Sequence, residues 1–368
     1  MSIDPQKQDL KIGIVGAGAM GRGIAQVSAT GGMPVYIFDA ADGAAAAAKD
    51  FIVSMINRSM EKGRMEKEEG EAAIARLHVA ENLDGLADCD LVVEAIVENI
   101  DIKQKVFQQL EEIVRPETII ASNTSSIRIS SIASACNHRE RIAGLHFFNP
   151  VPLMKLVEVI NGTDTSAEVT EALEVIGKRM GRVPVVVKDA PGFLVNLGGR
   201  AYSTESLRIV SEGVATPFQV DAVMREACGF RMGPFELLDL TGIDVNFPVS
   251  QIIYNGYFQD KRLSTYPLHE SMMEAGRLGK KTKAGFYAYT DDGTIIRPDV
   301  EEQISAAPAT QVVLAEPSKA LEKLMGEIGV KVLTSDDGTS PILADPIGED
   351  CTAVSVRLGV DPKRLVAI

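Results

Sequence analysis

Lys11-Ile12-Gly13-Ile14-Val15-Gly16-Ala17-Gly18-Ala19-Met20-Gly21 is the stretch that decides the fold. Lys11 to Val15 reads as a short apolar strand, the glycines that follow as a turn, and Gly23 to Ala29 as a helix running to a Gly31-Gly32 stop. Pro34-Val35-Tyr36-Ile37-Phe38-Asp39 reads as a second strand ending in an acid, which completes a β-α-β unit. A GxGxxG pattern alone is weak. Here it follows a strand, opens a helix and precedes Asp39 by about 20 residues, the offset of a dinucleotide fingerprint. Glycines let the backbone approach a pyrophosphate, and the helix N-terminus stabilises its charge. Gly16, Gly18, Met20 and Gly21 are therefore candidate cofactor contacts. Asp39 would accept from ribose hydroxyls and repel a 2′-phosphate, so NAD is expected rather than NADP; the bland alternative is a solvated strand-end acid.

Beyond this unit the pattern repeats. Gly43 to Arg76 suits one or two exposed helices. Strands are expected at Leu91 to Glu94, Thr118 to Ala121, Ile142 to His146 and Val183 to Val187, separated by helical stretches such as Ile102 to Val114. Such alternation predicts an α/β Rossmann domain over residues 1–189, with a parallel sheet covered on both faces. After Pro191-Gly192 the chain reads almost wholly helical to Tyr257, and the basic run Gly279 to Tyr287 closes it. An all-α C-terminal domain is expected over 190–295. A small α/β extension is expected over 300–368: a strand at Thr310 to Ala315, a helix at Ser318 to Ile328, and a strand at Val330 to Thr334. Arg364 to Ile368 reads as a further strand broken off, as in a chain cut from something longer.

At 368 residues, 45% hydrophobic and 24% charged, the chain buries a large core without staples. Its net charge of −14 argues against nucleic acid as a partner. Four scattered cysteines without a CxxC pattern, a polar N-terminus and no long apolar run point to a reducing, cytoplasmic setting with neither metal nor membrane involved.

The chemistry concentrates at expected strand ends. His146 closes a strand, and Glu158 lies twelve residues on, inside the strand-like run Met154 to Ile160. A histidine with a carboxylate in reach is a general base with its orienting partner; the alternative is a core histidine bonded to backbone. Glu98 and Lys103 follow another strand end and either touch the cofactor or form a helix-end charge pair. Ser125, within Ser122 to Ser126, is a substrate hydroxyl donor or a helix cap. Asn196 faces the domain cleft or serves as an interhelical amide. His78, His138 and His269 lie in polar surroundings and read as surface residues.

Seven segments together resemble the 3-hydroxyacyl-CoA dehydrogenases, from about Leu10 to Tyr289: GAGAMGRGIA at 16–25, VVEAIVEN at 92–99, SNTSSI at 122–127, GLHFFNPVPLMKLVEVI at 144–160, PGFLVN at 191–196, MGPFELLDLTG at 232–242 and GKKTKAGFY at 279–287. The resemblance implies NAD-dependent oxidation of an (S)-3-hydroxyacyl-CoA to the 3-oxoacyl-CoA, in fatty-acid or aromatic-acid catabolism. His146 would be the base and Glu158 its support, with Ser125 and Asn196 at the reacting region. Glu98, Lys103, Asn149 and Lys281 would be cofactor contacts, as would Ser125. It further implies a helical arm for the CoA phosphates, here carrying Arg58, Lys62 and Arg64, and a homodimer through the helical domain. The alternative is a non-catalytic NAD-binding protein that retains the fold. Two departures stand out. Leu197-Gly198-Gly199 follows Asn196 where the family has Arg and apolar residues, which is expected to loosen that helix start. The tail after residue 300 resembles the linker of long bacterial members.

Overall fold

A computed structural model describes residues 3–297, 309–345 and 351–367. Contacts divide the chain into two units, Met1–Ile296 and Arg297–Ile368. The expected start of the extension at residue 300 lies outside the described residues.

The first unit begins with β1 (Ile12–Val15), α1 (Ala19–Thr30), β2 (Val35–Phe38), α2 (Ala44–Glu61), α3 (Lys67–Ala75), β3 (Leu77–Val79), β4 (Leu91–Glu94), α4 (Ile100–Ile113), β5 (Ile119–Ser122), α5 (Ile129–Ala133), β6 (Ile142–Phe147), β7 (Leu156–Asn161), α6 (Ala167–Arg179) and β8 (Val183–Lys188). One eight-stranded sheet runs in the order β3-β2-β1-β4-β5-β6-β7-β8. β1, β4 and β5 are buried at every position, as strands covered on both faces must be. Neighbouring residues feed opposite layers: Val93 joins Ile14, Ile24, Ile37 and Leu173 on one face, while Val92 joins Phe107, Leu110 and Ile132 on the other. The expectation of a parallel sheet needs one correction, because β7 runs antiparallel to β6. Only eight residues separate Phe147 from Leu156, a connection that reverses the chain but is too short for the crossover a parallel neighbour demands. The strand order reverses between β1 and β4, which places a crevice at their carboxyl ends.

The helical part contains α7 (Val195–Gly198), α8 (Arg200–Ser211), α9 (Pro217–Ala222), α10 (Pro234–Thr241), α11 (Ile243–Gly256) and α12 (Pro267–Glu274), then the small hairpin of β9 (Ala288–Tyr289) and β10 (Ile295–Ile296). The Gly198-Gly199 pair does break the helix start. α7 ends and α8 begins at Gly199, whose carbonyl accepts from Tyr202 N–H three residues on, at 3.2 Å. Leu207, Phe235, Leu238 and Ile243 form the core. Two buried carboxyls tie it together. Asp221 accepts from the N–H groups of Phe235 and Glu236 and from Tyr287 OH, and Asp239 from those of Phe286 and Tyr287 and from Tyr289 OH.

The second unit is a four-stranded, wholly parallel sheet in the order β12-β11-β13-β14, built from β11 (Gln311–Leu314), α13 (Lys319–Glu327), β12 (Lys331–Leu333), β13 (Ile342–Ala344), α14 (Cys351–Leu358) and β14 (Leu365–Ala367). Ser340 to Ala344 shows little periodicity, so β13 is visible only through its pairing.

Candidate active site

The glycine loop is held by three different demands. Gly16 sits at φ +103°, and a Cβ there would lie 2.5 Å from the Ala95 carbonyl oxygen. At Gly21 a Cβ would lie 1.7 Å from the Gly16 carbonyl oxygen, so this glycine permits close packing of helix on loop. At Gly18, which caps α1 without a side chain, a Cβ would meet nothing within 4 Å. The first two glycines thus serve the fold, and the third keeps space open before a helix N-terminus, as a bound pyrophosphate requires. Asp39 stands at the end of β2 and grips the loop: its Oδ2 accepts from Ala17 N–H at 2.7 Å and its Oδ1 from Ala41 N–H at 2.9 Å. Met20 packs partly buried against the core below. These residues fit a dinucleotide.

Antiparallel pairing sets His146 directly opposite Glu158. Both are buried, and His146 Nδ1 lies 2.6 Å from Glu158 Oε2. A carboxylate only accepts, so Nδ1 carries the proton and Nε2 presents its lone pair. Ser125 Oγ is 3.2 Å from that Nε2 and donates to it. Glu158 Oε1 accepts from the consecutive N–H groups of Leu194 and Val195, each at 2.9 Å. To aim both at one oxygen the chain turns through Gly192 at φ +79° and Phe193 at φ +48°. The left-handed conformation of Phe193 is costly for a bulky residue. Its ring lies 5.9 Å from the imidazole, and that of Phe148 lies 4.6 Å away on an edge. Asn196 is the second residue of α7, half-buried beside Val195.

Ser125 is placed by a charged network. Lys103 is 1% exposed and bridges Glu94 Oε1 at 2.7 Å and Glu98 Oε2 at 3.2 Å. Glu94, fully buried, also accepts from Ser122 Oγ and Ile96 N–H. Glu98 Oε1 accepts from Thr124 Oγ1, Ser126 Oγ and the N–H groups of Ser125 and Ser126. Burial pushes the Glu98 carboxyl up, but the Lys103 ammonium and the hydroxyl donors outweigh it and hold it below the ordinary range. Asn123 Oδ1 takes Phe147 N–H at 2.8 Å, locking the serine loop to the histidine strand.

The structure therefore brings together Ser125, His146, Glu158, Glu98 and Lys103, with Asn196 on the adjoining helix. Asn149 lies exposed just past β6. Lys281 is ion-paired with Asp244 in the helical part. Arg58, Lys62 and Arg64 are exposed at the end of α2, and among the described residues none of them is in an ion pair. Glu94 and Asn123 were not singled out from sequence. The available signal was an acid closing an otherwise apolar strand. One reading needs correcting: His269 is not a surface residue but fully buried, because it is the buried residue of α12, while Ser271 on the same helix is exposed and Thr265, just before the helix, bonds its Nδ1. His78 and His138 are exposed as expected.

Comparison with known proteins gives the family. Residues 11–190 match the family model for the 3-hydroxyacyl-CoA dehydrogenase NAD binding domain, and residues 192–289 match that for its C-terminal domain. A 3-hydroxyadipyl-CoA dehydrogenase of Escherichia coli is 38% identical over 344 residues, covering 86% of this chain and 72% of that protein. A probable 3-hydroxybutyryl-CoA dehydrogenase of Deinococcus radiodurans is 41% identical, covering 76% of this chain and all of that one. Among solved structures, a 3-hydroxybutyryl-CoA dehydrogenase from Escherichia coli superposes with a TM-score of 0.82 at 34% identity, over 98% of this chain and 72% of that one. No helix among the described residues is long and apolar enough to cross a membrane.

Proposed function

The chain belongs to the 3-hydroxyacyl-CoA dehydrogenase family, and from that premise we propose that His146 takes the C3 hydroxyl proton of its substrate while Glu158 orients and supports the imidazole. The reaction is the NAD-dependent, reversible oxidation of an (S)-3-hydroxyacyl-CoA to the 3-oxoacyl-CoA, of the kind used in fatty-acid or aromatic-acid catabolism. NAD, held at the glycine loop by Gly16, Gly18 and Asp39, would supply the acceptor for the C3 hydride. His146 Nε2 receives the proton, and the imidazolium so formed is stabilised across a 2.6 Å contact by a carboxylate with no exposure to water. Ser125 hands its hydrogen bond from His146 to the substrate oxygen, and Asn196 is the second partner of that oxygen. The observation that carries this reading is the Ser125–His146–Glu158 line, anchored at its far end by two backbone N–H groups.

Gly16, Gly18, Met20, Gly21 and Asp39 hold the cofactor in this reading, with Glu98, Ser125, Asn149 and Lys281 around its other end. Lys103 acts through Glu98. Lys62 and Arg58, with Ser125, receive the CoA moiety. Residues 1–189 form the nucleotide domain, 190–295 the substrate and homodimerisation domain, and 300–368 an extension. The protein works in the cytoplasm, without nucleic-acid or membrane partners.

The test is NADH oxidation with acetoacetyl-CoA. Wild type turns over; His146→Ala loses at least about a hundredfold in kcat, the lower bound for a general base. Glu158→Gln lowers kcat with little change in KM. Undiminished turnover by His146→Ala would overturn the assignment, and NADH binding without turnover of any acyl-CoA would restore the non-catalytic alternative.

A further inference from the structure

Arg200 opens α8 just past the Gly198-Gly199 break, and its Nε reaches back to the Asn196 carbonyl. It is 6% exposed. Of its five donors, Nε reaches Asn196 O at 3.2 Å and Nη1 reaches Ser250 Oγ at 2.6 Å, both neutral acceptors. No carboxylate among the described residues forms an ion pair with it. The other buried arginines are better served. Arg141 and Arg182 each donate to three carbonyls; the half-buried Arg225 pairs with Glu236. Burial, with no opposing charge, pulls the Arg200 guanidinium down to about 10.

A second group shares this deficit. His269 on α12 is fully buried, its Nδ1 lies 3.0 Å from Thr265 Oγ1, and its Nε2 has no hydrogen-bond partner. Burial first, and then the Arg200 charge, brings the imidazole down to about 4, so it is neutral and the two groups lie within electrostatic reach. A buried cation without a counter-charge and a buried ring nitrogen without a partner are both unfavourable, and an anion received between them would relieve both.

We propose that Arg200, with His269, receives a carboxylate at the far end of the acyl chain, so that the substrates are CoA thioesters of 3-hydroxy dicarboxylic acids. This inference rests on the dehydrogenase reading, which puts C3 at His146 and Asn196. From C3 the substrate extends in two directions. One leads through the thioester to CoA and its phosphates, assigned above to the arm on α2. The other leads along the acyl chain, and an anion met there, beside the Asn196 carbonyl that Arg200 reaches, belongs to the chain end. A planar carboxylate also matches the guanidinium fork.

Two six-carbon substrates that differ only in their last group decide the matter: 3-oxoadipyl-CoA, ending in a carboxylate, and 3-oxohexanoyl-CoA, ending in a methyl. NADH-dependent reduction of each is measured for wild type, Arg200→Met and Arg200→Lys. Wild type is expected to favour the carboxylate-ended substrate in kcat/KM by roughly 10- to 100-fold, the range for a hydrogen bond to a charged group. Arg200→Met should reverse that preference, and Arg200→Lys should retain part of it. Should Arg200→Met fail to fold, the wild-type ratio and the lysine variant still decide. Wild type reducing the methyl-ended substrate as well or better overturns the inference and leaves the dehydrogenase reading standing. Turnover of neither substrate removes that reading, and the inference with it.

Discussion

Lys103→Met separates two roles that the sequence left open. A surface lysine touching the cofactor would, when lost, raise the KM for NAD and leave folding alone. The structure instead encloses Lys103, 1% exposed, between Glu94 and Glu98. Removing it strands the Glu94 carboxylate, fully buried, without its only ion-pair partner among the described residues. Breaking a buried pair from one side costs about 3–5 kcal/mol. For a unit of this size that lowers Tm by on the order of 10 °C. Glu98 simultaneously loses the ammonium that steadies it, and with it the donors from Thr124, Ser125 and Ser126. Ser125 then drifts from His146, so kcat falls while the KM for NAD changes little. Calorimetry and steady-state kinetics on the same preparation read both quantities. The double variant Lys103→Met/Glu94→Leu should regain much of the stability but not kcat. An unchanged Tm with a raised KM for NAD would refute the reasoning.

Two glycines of one loop should fail differently. Gly21→Ala puts a methyl 1.7 Å from the Gly16 carbonyl oxygen and should lower Tm, whereas Gly18→Ala meets only open space and should melt like wild type while binding NADH at least tenfold more weakly, as titration by fluorescence would show. His269 should make the fold acid-sensitive. Its folded pKa of about 4 lies below the ordinary 6.5, so the unfolded chain binds a proton in that window that the native state refuses. Stability is therefore fully present above pH 6.5 and falls by about 3 kcal/mol as pH drops to 4. The difference between wild type and His269→Phe in urea melts across this range isolates the effect, and parallel pH profiles would exclude it.

The catalytic pair was legible because its parts carry their own signals: a histidine closing an apolar strand, and an acid in the next one. The distance between them was not. It depends on β7 turning back antiparallel, which sets His146 and Glu158 in register; a parallel crossover would have sent Glu158 elsewhere. The same limit hid β13, whose edge is defined by its neighbours, and misjudged His269, because the polarity of adjacent residues says nothing about which side of a helix faces the core. Sequence by itself determined the β-α-β nucleotide unit, the change to helices after Gly192 and the residue types of the site, since backbone freedom, hydrophobic period and side-chain chemistry are local properties. Only the tertiary structure decided that Lys103 is enclosed between two acids, that Glu94 and Asn123 hold the serine loop, and that Arg200 is buried without a counter-charge. Burial and charge pairing are made by segments distant in the chain, and no local pattern encodes which of them will meet.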